Sequence, residues 1–543
     1  MTSILRAVLA ALLLAASPAL AQAPVVQASA GTVQGRAEDG VRVFRGIPYA
    51  AAPVGPLRWK PPQPAPAWQG TRVADAFGPA CVQPRSTTPN IYANPPARMS
   101  EDCLTLNVWA PREAAKAPVL VWIHGGALVS GYGHEPMYDG ARIAKRGGVI
   151  VVSINYRLGI LGYLAHPALS AESADGVSGN YGLLDQIAAL QWVRRNIAAF
   201  GGDPANVTIA GESAGGLSVM YLMASPKARG LFGKAVAQSA YMVTAPKLKA
   251  ARHGMPSAES AGTAAMNALG AADLAALRAT DAEKLTQTAA GKGYGPWGTV
   301  DGKVLTKQLV ETWDRGEQAP VPVLAGFNAG EIRSLRMLLP PAPANAAAYE
   351  RTIRERYGDL STAFLQLYPA SDVGESMLAT TRDALYGWTS VRLALGQTAI
   401  GQRGYLYQFD HGYPAADENG LHAFHAAEIP YMFGTAGKLP PYWPKVPDGA
   451  VDRRLSAAMM DYWTSFARDG VPQAAGQPEW KAYGTEANAM VFADVAKPGA
   501  RRFPGMFALH EAAVCRRRAA GDQPWNWNTG VVSPVLAKVE GCR

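Results

Sequence analysis

With 543 residues, 48% of them apolar and only 17% charged, the chain can bury a large core and is too apolar to be mostly disordered. Its formal charge of +9 lies in short basic clusters, Lys145-Arg146, Arg194-Arg195, Arg501-Arg502 and Arg516-Arg517-Arg518. None is interleaved with aromatic residues, which argues against a nucleic-acid surface and reads as solvated faces, although such a surplus also permits attraction of anionic ligands.

In chain order, Arg6 precedes the apolar run Ala7–Ala16, the breaker Ser17-Pro18 and the small-residue steps Ala19-Leu20-Ala21 and Ala21-Gln22-Ala23. A run this short before an A-x-A-like site predicts a cleaved export leader over residues 1–23 and a periplasmic or secreted destination; it is too short to span a bilayer easily. No later stretch reads as a spanning helix. Four cysteines follow the leader: Cys81, Cys103, Cys515 and Cys542. In an oxidising compartment the simplest pairing is the sequence-local one, Cys81 with Cys103 and Cys515 with Cys542, each closing a loop worth about 3 kcal/mol. No CxxC or paired Cys/His spacing supports a metal site.

Gly31–Gly35 and Val41–Phe44 read as two short strands around a turn, and the proline-rich passage Pro53–Pro66 as extended surface chain. The centre is more regular. Val119–Ile123, Val149–Ile154 and Val207–Ala210 are short apolar runs, with an amphipathic helix predicted over Leu183–Phe200; Pro322–Gly326 and Tyr405–Phe409 resemble later strands. Continuous β-branched runs alternating with helices predict an α/β fold with a mostly parallel sheet covered on both faces. The alanine-rich passage Pro256–Ala290 and the Pro/Ala-rich Met337–Ala348 predict helical, lid-like insertions around 250–300 and 335–400 within one domain spanning 24–543.

Gly211-Glu212-Ser213-Ala214-Gly215 fits G-x-S-x-G, a weak signal alone. Here a buried strand runs into Gly211 and a helix-forming stretch leaves from Gly216, the strand–turn–helix of the nucleophile elbow in α/β-hydrolases. That context makes Ser213 the candidate nucleophile. Backbone N–H donors for a developing oxyanion are expected from Ala214 and from Gly125 and Gly126 of the strand-ending turn His124-Gly125-Gly126. Because the fold orders its residues Ser, acid, His, the base lies among His253, His411, His422, His425 and His510, and the acid among Asp301, Glu331, Asp410 and Asp417.

The sequence resembles the type-B carboxylesterase family, which includes the cholinesterases, over nearly all of the mature chain. The resemblance rests on Phe44-Arg45-Gly46-Ile47-Pro48-Tyr49-Ala50, on Glu101-Asp102-Cys103-Leu104-Thr105-Leu106-Asn107-Val108, and on the block from Gly179-Asn180-Tyr181-Gly182 to Gly216. It implies that Glu331, in Gly326-Phe327-Asn328-Ala329-Gly330-Glu331, is the acid. It also implies that His425, three residues before Glu428-Ile429-Pro430-Tyr431, is the base, and it supports the Cys81–Cys103 pairing. It gives no precedent for Cys515–Cys542. Cholinesterases carry a tryptophan before Asn-Pro where this chain has Ala93, which argues against choline esters.

The resemblance therefore implies a cofactor-free serine ester hydrolase acting on a small ester, for which the basic surplus permits an anionic substrate. Glu212 and Ser239 are candidates for supporting the triad or for purely structural roles. Amidase, lactonase or peptidase activity could use the same machinery, and a non-catalytic adhesion or binding relative is the alternative from another class.

Overall fold

The computed structural model describes residues 23–85, 88–525 and 527–542. The leader read over residues 1–23 lies outside these but for Ala23. The main sheet has eleven strands: β1 (Arg36–Glu38), β2 (Val41–Pro48), β3 (Thr105–Pro111), β4 (Ala117–Ile123), β5 (Ile150–Ile154), β6 (Gly202–Glu212), β7 (Lys234–Gln238), β8 (Val323–Asn328), β9 (Gly404–Phe409), β10 (Asn488–Phe492) and β11 (Ala496–Ala500). Their spatial order is β11-β10-β9-β8-β7-β6-β4-β5-β3-β2-β1. Strands β5 to β10 along this order pair in parallel, and both ends of the sheet are antiparallel.

The sequence of β4 shows why the sheet is covered on both faces. Val119, Val121 and Ile123 pack into one core with Leu190, Leu217 and Met220, while Leu120 and Trp122 pack into the other with Trp463 and Phe466. Successive side chains of a strand point to opposite faces, so a run with no polar member must be buried twice. The helices that do this are α1 (Tyr181–Asn196), α2 (Ala214–Ala224) and α3 (Trp388–Ala399) on the first face and α4 (Ala450–Asp469) on the second, with α5 (Met506–Ala520) packed on α3. A mixed, mostly parallel sheet with helices on both faces is the expected α/β architecture. The central predicted strands fall on β4, β5, β6, β8 and β9, whereas β7, which lies between β6 and β8, has no counterpart among them.

Two sequence expectations change. Gly31–Gly35 and Val41–Phe44 do not form a hairpin with each other: Gly31–Gln34 pairs with Val25–Ala28 and Thr71–Val73 in a separate three-stranded sheet, whereas Val41–Pro48 joins the main sheet. Residues Arg36–Glu38 intervene and take the antiparallel place beside β2. The triplet Arg516-Arg517-Arg518 is not a solvated face. Arg516 and Arg517 are 4% and 2% exposed, because the chain after α5 folds back over them, while Arg518 pairs with Asp314. Lys145, Arg194, Arg195, Arg501 and Arg502 are exposed as expected.

Helices Ala258–Ala268, Leu274–Ala279 and Ala282–Gly291 form in the alanine-rich passage. Two disulfides close, Cys81–Cys103 and Cys515–Cys542, with partners 22 and 27 residues apart. Among the described residues, no helix is long and apolar enough to cross a membrane.

Candidate active site

Strand β6 delivers Glu212 and Ser213 to the carboxyl end of the sheet, and α2 starts at once at Ala214. Ser213 takes φ 57° and ψ −121°, a conformation costing about 1–3 kcal/mol in a non-glycine residue and tolerated where neighbours enforce it. The glycines of the motif enforce it by allowing contact. A Cβ on Gly215 would lie 2.1 Å from the carbonyl oxygen of Ile123, and one on Gly211 would lie 2.5 Å from the Gly215 carbonyl carbon. Strand β4, ending at Ile123, thus presses directly under the turn.

The chain beyond β4 forms the opposite wall. A Cβ on Gly125 would sit 3.2 Å from Ser213 Cβ, so this loop passes against the serine. Gly126 has φ +103°, which favours glycine, and its carbonyl accepts the N–H groups of Val129 and Ser130. His124 is buried, stacks on Tyr156 at 4.5 Å and contacts the Gly125 carbonyl through Nδ1 at 2.8 Å; burial pushes its pKa down to about 4. Gln83 accepts the Gly131 N–H and donates to the Gly131 carbonyl, tying the glycine loop to the chain beside Cys81.

His425 comes from the loop after β9, and its Nδ1 lies 2.5 Å from Glu331 Oε2, just past β8. The other oxygen of Glu331 accepts from Ser239 Oγ at 2.6 Å and from the Asn328 N–H at 2.8 Å, so the fully buried carboxylate is held from three sides. Asn328 Nδ2 in turn donates to Glu428 and to the Phe424 carbonyl, joining the two loops. His425 Nε2 lies 3.1 Å from Glu212 Oε1. Burial opposes the charged imidazole, but Glu212 and Glu331 outweigh it and raise the His425 pKa to about 9. Burial raises the Glu212 carboxyl to about 8, with His425 pulling the other way.

The structure therefore brings Ser213, Glu212, His425, Gly125 and Gly126 to one cavity of about 610 Å³, with Ala214 beginning α2 beside Ser213 and Glu331 and Ser239 buried behind His425. The other candidates lie elsewhere. His422 sits between Asp410 and Asp417, His411 between Asp452 and Asp494, His510 contacts Tyr368 Oη, and His253 packs on Trp525. Asp301 caps a turn at residues 303–305.

Residues that no motif singled out complete the cavity: Tyr92, Glu135, Tyr241, Tyr386, Trp443 and Trp527. Tyr92 Oη donates to the His425 carbonyl at 2.9 Å, and the Tyr386 ring lies 5.4 Å from the His425 ring. Tyr386 stands in a π-helical turn, Asp383–Gly387, a local widening often found at functional sites. Ala93 lines the cavity. The basic surplus is not concentrated here: Arg85 at the rim pairs with Glu283, whereas two carboxyls, Glu135 and Glu212, line the interior. Burial raises the Glu135 carboxyl to about 8. Helix Ala282–Gly291 holds Arg85 through Glu283 and Gln287, and residues 335–338 supply the facing rim.

Residues 22–502 match the carboxylesterase family. The chain is 38% identical over 485 residues to a fumonisin B1 esterase of Sphingopyxis macrogoltabida, covering 85% of each sequence. It is 36% identical over 487 residues to a para-nitrobenzyl esterase of Bacillus subtilis, covering 87% of this chain and 94% of that one. A solved structure of a PNB esterase superposes with a TM-score of 0.77 at 33% identity, covering 89% of this chain and 99% of that chain.

Proposed function

The chain belongs to the carboxylesterase family and is a carboxylic ester hydrolase of the α/β-hydrolase fold, and from that premise we propose that it works through a Ser213–His425–Glu331 triad and an acyl-enzyme intermediate. The observation that carries this reading is the His425 ring, held by Glu331 at 2.5 Å and facing the cavity into which the strained Ser213 turn projects.

In this mechanism His425 Nε2 takes the Ser213 hydroxyl proton while Oγ attacks the ester carbonyl. Glu331 holds the Nδ1–H tautomer and stabilises the imidazolium. The N–H groups of Gly125, Gly126 and Ala214 receive the oxyanion, the position where fixed donors have most effect. Collapse of the tetrahedral intermediate breaks the C–O bond, and His425 returns its proton to the departing alcohol. Water then enters, gives a proton to His425 and attacks the acyl carbonyl; as the C–Oγ bond breaks, His425 passes that proton to Ser213 Oγ, which releases the acid and restores the free enzyme.

The cavity volume suits a small-molecule ester. Glu135 and Glu212 are held up at about 8 and Arg85 is paired with Glu283, so among the described residues the lining offers no unpaired cation and suits a neutral ester better than the anionic one that the net charge permits. The two disulfides and the leader-like first residues support an exported enzyme. The test is hydrolysis of a short-chain p-nitrophenyl ester by the purified protein: Ser213→Ala should abolish it while the circular dichroism stays unchanged. Activity that persists in the variant refutes Ser213 as the nucleophile.

A further inference from the structure

The family match ends at residue 502, yet the cavity takes part of its lining from the segment that follows. After α5 the chain turns at Gly521, and Trp527 lines the same cavity as Ser213 and His425. Its ring lies 5.4 Å from Trp297 and 6.4 Å from Tyr241, and Tyr241 meets Tyr386 edge-on at 6.1 Å. The last segment thus adds an aromatic wall to a site whose reactive groups all come from the matched region.

The segment is fastened on both sides of Trp527. Upstream, the buried Trp525 donates its backbone N–H to Thr244 Oγ1 at 2.9 Å. Downstream, Arg517 donates to the Asn528 carbonyl at 2.6 Å and to Ser533 Oγ at 2.9 Å, and the Gly530 N–H donates to Tyr357 Oη at 2.9 Å. Leu536 is buried against α5, and the Cys515–Cys542 bridge joins the end of the segment to that helix. Arg517 is a buried cation without a carboxylate among these contacts, so its cost is met by the backbone and hydroxyl it anchors.

We propose that the C-terminal segment 521–542 is a specificity strap: Trp527 packs against a planar or bulky apolar group of the ester, and the Cys515–Cys542 bridge holds it there. This rests on the reading of Ser213 as the nucleophile. An aromatic side chain presented from a covalently stapled segment loses little freedom when substrate packs on it, so the contact selects substrates by shape.

The experiment measures kcat/KM for p-nitrophenyl acetate and p-nitrophenyl benzoate, and for methyl acetate and 1-naphthyl acetate, varying the acyl and alcohol sides in turn. In Trp527→Ala the bulky-to-small ratio should fall about tenfold in at least one pair, the scale of one lost aromatic packing contact. Trp527→Phe should recover most of it. Cys515→Ser/Cys542→Ser should lower the same ratio in the same pair, because the strap is released while its tryptophan remains. A uniform loss on all esters, or unchanged ratios in Trp527→Ala, overturns the wall; an unchanged ratio in the double serine variant overturns the role of the bridge. Failure of the underlying reading shows separately, as acetate hydrolysis that survives Ser213→Ala.

Discussion

Replacing Glu212 with Gln removes the carboxylate that faces His425 Nε2 at 3.1 Å and nearly preserves side-chain size. In the proposed mechanism His425 must be neutral at Nε2 to accept the serine proton, yet Glu212 and Glu331 favour the imidazolium and hold its pKa up at about 9. Activity should therefore rise with pH as His425 loses its proton, with its midpoint in the alkaline range. At an effective dielectric of about 20, opposite unit charges at this separation attract by about 5 kcal/mol, a ceiling of about 4 pKa units. Glu212, held up at about 8 by burial, is mostly ionised at the His425 midpoint, so its charge is present there; hydration of the open cavity keeps the realised shift below that ceiling, at about 1–2 units. Removing a negative neighbour destabilises the imidazolium, so the midpoint moves down. The assay is the pH profile of kcat/KM for p-nitrophenyl acetate in both proteins. A limb that stays in place or moves to higher pH refutes Glu212 as the group that keeps His425 protonated.

Glu331→Gln leaves the loop packing but no longer selects the Nδ1–H tautomer, and kcat should fall by about 10³–10⁴ with KM nearly unchanged. A loss below tenfold contradicts the assigned role. Gly126→Ala places a Cβ 2.2 Å from the Ser130 carbonyl oxygen at φ +103°, so the loop must shift; kcat should drop at least about 100-fold, whereas full activity shows that the loop supplies no oxyanion donor. Asp185 accepts three bonds from Arg157, with the two side chains 0% and 4% exposed. Asp185→Asn leaves a buried cation underpaired and should cost about 3–5 kcal/mol in urea unfolding; a change below about 1 kcal/mol shows that water reaches Arg157.

What the sequence made legible was local. Val119–Ile123 reads as a strand because every member is apolar, and it is buried on both faces for the same reason. Gly211 and Gly215 are recognisable because a tight turn between two packed elements admits no side chain there. The histidines show where local reading stops: His422 and His425 share one loop, and periodicity cannot tell that one reaches Asp410 and Asp417 while the other reaches Glu331. Family resemblance singled out His425 and Glu331, and the two lie in contact. Tyr92, Glu135, Tyr386 and Trp527 come from distant segments and converge only in the folded chain, so no spacing rule announces them. A basic run says nothing of whether a later segment will cover it, and Arg516 and Arg517 are covered.

In the proposed mechanism Ser213 is the residue that becomes acylated. Incubating the wild-type protein with a fluorophosphonate and mapping the adduct by peptide mass spectrometry tests this most directly. One adduct is expected, on Ser213, with activity lost in proportion and labelling slowed strongly in His425→Ala. An adduct on another residue, or hydrolysis that continues in fully labelled protein, contradicts it.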